Sequence, residues 1–493
     1  MVSYSFQGVV TTILVVVISV ILLSVEAHVT LTFPPARKLD IDFLNNFWTK
    51  PPCGQPKGST RTTLAAGSSF NVNWQLGYSH IGGYRIELLD NKEQKLMDLT
   101  VTNSPDGFVQ GNATAQWQKI YLPQNFVCRD CTIRLLRQVK SFDPNFNFWS
   151  CADVDIVNPT QYTENCHNRG RLVGDKCRCG DGYWGKICQF KDECGTDSQC
   201  GGPSRGKCLY MGGSNLPRRQ CFCKNGYHGE GCNLRNNAPL PVPTHSLNLT
   251  AHSLQVLSNR MLMYYRILPN SFSSKDTEIE IVLLVNGTSY AGVGWRPLNL
   301  GPLCKSWPFI PEALDENANT IDTSNKNRRQ SGIVGSPWAA QDAFSAMDCT
   351  DIIIGTAKGG LSRIRDYYSR GRHTPQLDST WGGKDDINAA TGWESNGVTT
   401  LIFRRYLRAR DTPDHSLDKG EMLVIWARGQ EPDEIVRDPN ARLEKNEHRV
   451  SRFYVQDELK YHGLADQKGV LTLDFLAHTN QQFGPHNARL YRG

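Results

Sequence analysis

Sixteen cysteines constrain this chain more than any other feature, because ten of them lie between Cys166 and Cys232. A segment so rich in cysteine buries little apolar core and depends on cross-links for its fold. The chain begins with an apolar stretch at residues 9–23 and then has small residues at the −3 and −1 positions of a cleavage site. We therefore expect a secreted, extracellular protein with a signal peptide at residues 1–27 and paired cysteines.

Cleavage after Ala27 would make His28 the mature N-terminus. An N-terminal histidine can chelate one metal ion through its α-amino nitrogen and a ring nitrogen. The α-amino pKa of about 8 is low enough for a metal to displace the proton. An uncleaved segment would instead act as a signal anchor, and the chelate could not form. After cleavage we expect no transmembrane segment, and the polar residues 486–493 argue against a lipid anchor.

The net charge and the length of the chain indicate which partners and how many domains to expect. The net charge of +6 on 493 residues is modest and spread along the chain, so we expect no nucleic-acid partner. The length is enough for roughly three domains. Three glycosylation sequons fit a secreted chain and begin at Asn112, Asn248 and Asn286.

The first domain, residues 28–157, has the alternation of apolar and polar residues that predicts β-strands. Glycine, proline and asparagine clusters separate its clearest strands, which are residues 71–76, 84–89 and 132–137. Its four cysteines allow three pairings, and we expect Cys53 with Cys151 and Cys128 with Cys131. Zinc sites often use two Cys-x-x-Cys pairs, and the single pair here favours disulfides.

Three motifs of this domain resemble the lytic polysaccharide monooxygenases of animals and oomycetes. Residues 28–37 (HVTLTFPPAR) are similar to the mature start of these enzymes. Residues 78–88 (YSHIGGYRIEL) are similar to the stretch of their second histidine, which precedes a Gly-Tyr pair. Residues 148–156 (FWSCADVDI) resemble their closing strand. The resemblance covers the whole first domain and implies an immunoglobulin-like or fibronectin-like β-sandwich.

In such enzymes the N-terminal histidine and a second histidine hold one copper ion. Carried over, the resemblance implies that His28 supplies two nitrogens and His80 a third, a donor set that suits copper. Phe148 would lie on the axial side of the metal, and Gln138 is a candidate hydrogen-bonding group near it. Each also has a plainer interpretation: His80 as a hydrogen-bonded turn residue, Phe148 as a core residue, and Gln138 as a solvated strand-end residue.

The reaction that the resemblance implies is copper-dependent oxidation of a β-linked polysaccharide such as chitin. At about 130 residues, however, the domain is shorter than typical members, which leaves little chain for the loops of a substrate surface. We therefore keep a second interpretation. In it the chain is a non-catalytic extracellular matrix or surface protein that binds copper, carbohydrate or protein partners.

Residues 191–233 resemble an EGF-like module in cysteine spacing and in the glycine-aromatic signature of residues 224–229 (KNGYHG). The resemblance implies the disulfides Cys194–Cys208, Cys200–Cys221 and Cys223–Cys232. Residues 158–190 look like a truncated preceding copy, with cysteines at Cys166, Cys177, Cys179 and Cys188. We interpret the two modules as a spacer or as a rod that contacts extracellular protein partners, with a zinc cluster as the alternative.

A Pro-rich linker at residues 234–244 leads to a third domain, residues 245–480. Short strands with glycine and asparagine turns predict a second β-sandwich here. Residues 305–340 predict a long polar surface loop, which Cys304 and Cys349 would bridge.

Three stretches of the third domain resemble the DOMON family, which binds haem or sugars. They are residues 287–295 (GTSYAGVGW), 351–355 (DIIIG) and 424–427 (VIWA). In cytochrome members a methionine and a histidine ligate haem iron, a ligand pair that suits electron transfer. Met347 and His462 are the candidates in this sequence, and the alternative is a sandwich without haem. The expected fold class is therefore all-β, with two sandwiches and small EGF-like modules between them.

Overall fold

The structure is a computed structural model. It describes residues 29–37, 52–53, 56–58, 60–77, 79, 81–111, 113–140, 147–212, 217–242, 247–269, 276–300, 345–371, 374–417, 420–431, 458–460, 462–463 and 465–477. These residues form β-strands joined by turns and short 3-10 helices, which confirms the all-β prediction. The 3-10 helices are Pro159–Gln161, Cys166–Asn168, Asp197–Cys200, Glu230–Cys232, Asp378–Trp381 and Ala465–Gln467.

The first unit is a β-sandwich. Its strands are β1 (Val29–Phe33), β2 (Thr62–Ala65), β3 (Ser69–Leu76), β4 (Tyr84–Leu89), β5 (Lys95–Asp98), β6 (Trp117–Tyr121), β7 (Cys128–Gln138) and β8 (Asn147–Val157). One sheet has the order β1-β3-β6 and the other the order β2-β8-β7-β4-β5. The strands predicted from alternation lie within β3, β4 and β7.

Alternation explains why these strands form a sandwich. Along β3 the even-numbered residues, from Phe70 to Leu76, are buried, while Ser69 and Asn71 are exposed. Since successive side chains of a strand point to opposite faces, one face of the sheet packs on the core and the other meets solvent. Disulfides join Cys53 to Cys151 and Cys128 to Cys131.

The cysteine-rich middle consists of small hairpins. Its strands are β9 (Gly170–Val173), β10 (Lys176–Cys179), β11 (Tyr183–Trp184), β12 (Phe190–Lys191), β13 (Gly206–Tyr210), β14 (Arg219–Cys223), β15 (Tyr227–His228) and β16 (Leu234–Arg235). Five disulfides hold them, namely Cys166–Cys177, Cys179–Cys188, Cys194–Cys208, Cys200–Cys221 and Cys223–Cys232. The last three are the pairs that the EGF-like resemblance implied.

The third unit is a second sandwich. Its strands are β17 (Ser253–Ser258), β18 (Met261–Leu268), β19 (Glu278–Asn286), β20 (Ala291–Pro297), β21 (Thr350–Lys358), β22 (Leu361–Ser369), β23 (Gln376–Leu377), β24 (Ile387–Ser395), β25 (Val398–Tyr406), β26 (Met422–Arg428) and β27 (Lys468–Leu473). One sheet has the order β17-β18-β19-β25-β24. The other has the order β22-β21-β20-β26-β27, with β23 beside β22, and its core includes Met263, Trp295 and Phe403.

The second cysteine-rich module covers one side of the third sandwich. Its strand β14 joins the sheet edge at β22, where Cys223 pairs with Ser362. On the other sheet, β24 is the edge, and His228 Nε2 lies 2.8 Å from the carbonyl oxygen of Ile387. Exposed sheet edges invite pairing with other chains, and this module covers one edge of each sheet. The module therefore packs against the third unit, while its proposed contact with extracellular protein partners stays a prediction.

The Pro-rich stretch that follows also lies against the sandwich. Asn237 donates its backbone N–H to the carbonyl of Asn388, and Leu240 is buried in a cluster with Val282 and Ile402. Because Leu240 packs against the sandwich, residues 236–240 do not act as a free linker.

Two expectations remain, namely the disulfide between Cys304 and Cys349 and the absence of a membrane-spanning helix. Cys349 is disulfide-bonded, while Cys304 and the predicted loop at residues 305–340 lie outside the described residues. Among the described residues, no helix combines the length and the apolar character needed to span a membrane.

Candidate functional site

The first candidate site is the end of the first sandwich where β1 begins. Val29 pairs with Leu76 in the antiparallel register of β1 and β3. His28 immediately precedes Val29, and His80 follows Leu76 by four residues; both histidines lie outside the described residues. The strand register therefore brings together the two chain segments that lead to the predicted copper ligands.

Gln138 lies at the end of β7 beside this region and is buried rather than solvated. Its backbone N–H donates to the carbonyl of Gly83 at 2.8 Å, and its side-chain oxygen accepts from Gly83 N–H at 3.3 Å. Gln110 Nε2 donates to the same oxygen at 3.2 Å. The side chain thus holds the backbone just after His80, which excludes the solvated interpretation.

Arg137 fixes the same loop from the neighbouring strand position. Its guanidinium is fully buried and donates to the carbonyls of Gly82, Gly83 and Ala113. Burial lowers the pKa of Arg137 to about 10. Gly82 has a φ of +153°, and a Cβ there would collide with the carbonyl oxygen of Gln138. Only glycine meets this backbone requirement.

Phe148 and Ser79 complete the surroundings. Phe148 pairs with Arg137 across β7 and β8 and is 2% exposed, within the core of the sandwich. Ser79, the residue before His80, is fully buried, and its hydroxyl has no hydrogen-bond partner among the described groups. A buried polar atom of this kind is expected where a group absent from the coordinates belongs.

Two of the three sequence motifs are tied together by a buried ion pair. Arg37 Nε donates to Asp153 Oδ1 at 2.9 Å, and both side chains are fully buried. Arg37 also donates to Thr132 Oγ1, while Asp153 Oδ2 accepts from Gly58 N–H. The pair therefore ties the segment after β1 to β8, which is a structural role for both side chains.

The outer face of the three-stranded sheet exposes aromatic and polar side chains together. Trp117 is 60% exposed and Tyr121 is 65% exposed, both on β6. Directly opposite on β3 lie Asn73 and Ser69, which pair with these two positions. Large exposed aromatic side chains beside amides and hydroxyls suit stacking and hydrogen bonding to a sugar chain.

The second candidate site is in the third unit. Met347 lies in the turn before β21, and its backbone N–H donates to Ser345 Oγ. His462 Nδ1 lies 3.1 Å from the carbonyl oxygen of Gly463, and burial lowers the pKa of its imidazole to about 4. The neutral imidazole is the form in which a histidine ligates a metal.

The segment that precedes His462 lies on the outer face of the sheet that contains β21. Leu459 packs there with Ile352 and Ile354 of that strand, and Tyr290 donates its hydroxyl hydrogen to the carbonyl of Lys460. Met347 and His462 thus belong to segments that attach to the same strand. The donor types, a thioether sulfur and an imidazole nitrogen, fit a haem iron.

Sequence reasoning missed a group of buried acids in the third unit. Asp351, Asp366, Asp378 and Asp414 are each no more than 6% exposed, and Arg405 lies among them. They are scattered over more than sixty residues of the sequence. The short spacing of Asp411 and Asp414 was the signal that could have drawn attention to this region.

Comparison with known proteins assigns the third unit. Residues 319–429 match the family model of the DOMON domain. This chain contains a DOMON domain. The match includes β21 to β26 and thus the acids around Arg405, whereas β17 to β20 precede it. A search of curated proteins found no significant match.

Solved structures with distant similarity to this chain include three proteins. A copper-bound, cellulose-active LPMO, CelS2, is 24% identical with a TM-score of 0.16, covering 20% of this chain and 54% of its own. This chain therefore spans about half the length of that protein. The cytochrome b domain of Coprinopsis cinerea pyranose dehydrogenase is 10% identical with a TM-score of 0.22, covering 43% and 77%. The cytochrome domain of Myriococcum thermophilum cellobiose dehydrogenase is 9% identical with a TM-score of 0.19, covering 45% and 88%.

Two of the three predicted glycosylation sites lie among the described residues. Asn248 and Asn286 are exposed, and Asn286 ends β19. Thr288 of the second sequon donates its hydroxyl hydrogen to Glu431 at 2.9 Å. Asn112 lies outside the described residues.

Proposed function

We propose that this chain is a secreted copper protein whose first sandwich binds one copper ion through His28 and His80. The observation that supports this most is the β1–β3 register, since the pairing of Val29 with Leu76 joins the segments leading to both histidines. Three nitrogen donors on a rigid sheet end suit copper above other divalent metals. Bound copper of this kind would supply an open coordination position at which oxygen or peroxide reacts.

The protein groups around the proposed metal have positioning roles. Gln138 and Arg137 hold the backbone of residues 82–83, which keeps the following turn and the preceding histidine segment in place. Phe148 excludes water from the core side of the region. Metal sites lose affinity when such supporting hydrogen bonds are removed.

The proposed substrate is a β-linked polysaccharide such as chitin. The support is the exposed face with Trp117 and Tyr121, which offers flat apolar surfaces at two positions of one strand. A sugar chain bound along this face would bring the enzyme to an insoluble substrate. In the DOMON domain, Met347 and His462 are the proposed ligands of a haem group that would exchange electrons with the copper site.

The test begins with the N-terminus of the secreted protein, determined by mass spectrometry. Copper is then added, and the electron paramagnetic resonance spectrum is expected to show coupling to nitrogen. His80→Ala should remove part of that coupling, whereas His167→Asn, in the first cysteine-rich module, should leave it unchanged. A variant with one extra residue before His28 blocks the α-amino group and tests the site without altering the core. A spectrum that is the same in all four proteins would overturn the copper site.

A second candidate function keeps the copper and carbohydrate sites without catalysis. The union of the second module with the DOMON domain favours it, because such a block of two modules is a typical element of adhesive extracellular proteins. Copper-loaded protein incubated with chitin or cellulose and a reductant separates the two candidates. Oxidised oligosaccharides support the enzyme, while binding without oxidised products supports the adhesive protein.

A further inference from the structure

The DOMON domain contains a buried group of carboxylates with more negative charge than its surroundings balance. Asp351, Asp366 and Asp414 lie within 4 Å of the guanidinium of Arg405, and Asp378 is a near neighbour of Asp414. Burying an ionised carboxylate without a partner costs several kcal/mol. A charge of this size requires either protons or a cation.

Arg405 accounts for only part of this group. Its Nη1 lies 2.9 Å from Asp351 Oδ2, and its Nη2 lies 3.0 Å from Asp414 Oδ2. Asp351 Oδ2 also accepts the backbone N–H of His415. The negative charge of Asp351 is therefore balanced by Arg405, and its carboxylate is held in place by the backbone of His415.

Asp378 is different, because its buried carboxylate, 2% exposed, faces the carboxyl of Asp414 and receives no hydrogen bond from a described N–H group. Asp414 Oδ1 and Asp411 Oδ1 are likewise buried without a hydrogen-bond partner. One oxygen of each of these three residues lies within 4.8 Å of the others. Ligands at 2.3–2.6 Å from a common ion are at most about 5 Å apart, so the spacing fits one ion.

Local structure holds these three carboxylates in place. Asp378 begins the 3-10 helix Asp378–Trp381, which Gly382 ends in the left-handed conformation. Asp411 Oδ2 accepts the backbone N–H of Lys384 at 2.6 Å, which ties the loop of Asp411 to the segment after this helix. The three residues therefore come from two loops that the fold presses together.

We propose that Asp378, Asp411 and Asp414 bind a calcium ion in the DOMON domain. All three donors are carboxylate oxygens, the ligands that hard cations prefer, whereas zinc favours nitrogen and sulfur. Calcium also accepts backbone carbonyls and waters in its six to eight positions, so three carboxylates are a sufficient protein contribution. Burial raises the pKa of Asp378 and Asp414 when no cation is present, which is the other way to relieve the same charge. The proposal is independent of copper and haem.

The experiment uses the full secreted chain with bound metal removed by a chelator. Calcium at about a hundred times its dissociation constant should raise the melting temperature of the DOMON domain by about 5–10 °C. Terbium, which replaces calcium, should luminesce when tryptophan is excited, because Trp381 lies in the same turn as Asp378. Asp378→Asn should abolish both responses. Asp276→Asn, in an exposed ion pair with Arg410, should leave both unchanged.

The stability of the metal-free variant separates a cation from protons. Without calcium, Asp378→Asn should melt at the same or a higher temperature than the unmodified chain, because it removes an uncompensated charge. Asp411→Asn, whose side-chain oxygen can still accept from Lys384, should weaken terbium binding tenfold or more and serves if Asp378→Asn does not fold. A melting temperature of the unmodified chain that is equal in calcium and in chelator, with no terbium signal, would overturn the site in favour of protonated carboxyls.

Discussion

At the scale of single residues, the motifs of the first sandwich divide into structural and functional parts. Arg37 and Asp153 belong to two motifs that are more than a hundred residues apart, and their buried ion pair joins β1 to β8. The motif histidines, His28 and His80, lie outside the described residues. Some residues of these sequence motifs are therefore needed for the fold rather than for a binding site.

The Arg37–Asp153 pair predicts a large effect of one isosteric change. Asp153→Asn removes the buried carboxylate partner of Arg37, whose charge stays buried beside the partly exposed Glu93. Because breaking one side of a buried pair is strongly destabilising, we expect a loss of about 3–5 kcal/mol in the free energy of unfolding. Urea unfolding measures this. Asp98→Asn, in an exposed pair with Lys95, should cost less than about 1 kcal/mol. Equal effects of the two changes would contradict the structural role of Asp153.

Glu280, in β19 of the third unit, predicts a pH dependence of stability. Burial alone would raise its pKa, but the hydrogen bond from His252 and the charges of Arg404 and Arg266 outweigh burial and lower the pKa to about 2. A carboxyl with a depressed folded-state pKa stabilises the protein above the unfolded value of about 4.3. That contribution, about 3 kcal/mol, is lost as pH falls toward 2.

The variant Glu280→Gln tests this assignment. At pH 7 it should lower the free energy of unfolding by about 3 kcal/mol, and its stability should then change less between pH 4.5 and about 2 than that of the unmodified chain. Chemical denaturation at several pH values provides both numbers. Glu230→Gln, at an exposed position, is the control. Parallel stability curves for Glu280→Gln and the unmodified chain would show that Glu280 is not the group responsible.

At the scale of elements, side chains of the second module replace a missing strand. Asn236 Nδ2 donates to the carbonyl of Ala390, and Asn236 Oδ1 accepts its N–H, both at 3.1 Å. His228 Nδ1 lies 2.9 Å from Asn236 Oδ1. The amide of Asn236 thus satisfies backbone groups of the edge strand β24 that would otherwise lack partners.

Removing that amide should weaken the DOMON domain. Asn236→Ala leaves an N–H and a carbonyl of β24 without partners, so we expect a loss of about 2–3 kcal/mol in the free energy of unfolding. Asn233→Ala, at an exposed position nearby, should change it by less than about 0.5 kcal/mol. Denaturant unfolding followed by tryptophan fluorescence is the measurement. An unfolding midpoint shared by both variants and the unmodified chain would mean that the module only touches the sandwich.

At the scale of the whole molecule, the two cysteine-rich modules join different sandwiches. Ile187 of the first module is part of the core of the first sandwich, and Gln189 donates to the carbonyl of Thr32. In the second module, Glu193 forms an ion pair with Arg363 of the DOMON domain at 2.7 Å. The modules are therefore extensions of their neighbours, which a chain with ten closely spaced cysteines does not reveal by itself.

The sequence alone determined the strands, the cysteine frameworks and the family of the third domain. Alternation predicts which face of β3 is buried because side-chain direction in a strand is a local property. The resemblance to an EGF-like module implied Cys194–Cys208, Cys200–Cys221 and Cys223–Cys232, and the structure has these three disulfides. The stretches at residues 351–355 and 424–427 indicated the DOMON domain because they are continuous strands within it.

Only the tertiary structure decided which distant residues meet. Gln138 is buried because β4 and β7 pair in one particular register, and a polar residue at a strand end carries no local sign of this. Asp378, Asp411 and Asp414 come together because two loops follow different strands to the same end of the sandwich. Charges that are far apart in the chain interact only after the sheets have formed, so the sequence shows Asp411 and Asp414 as neighbours but not Asp378 beside them.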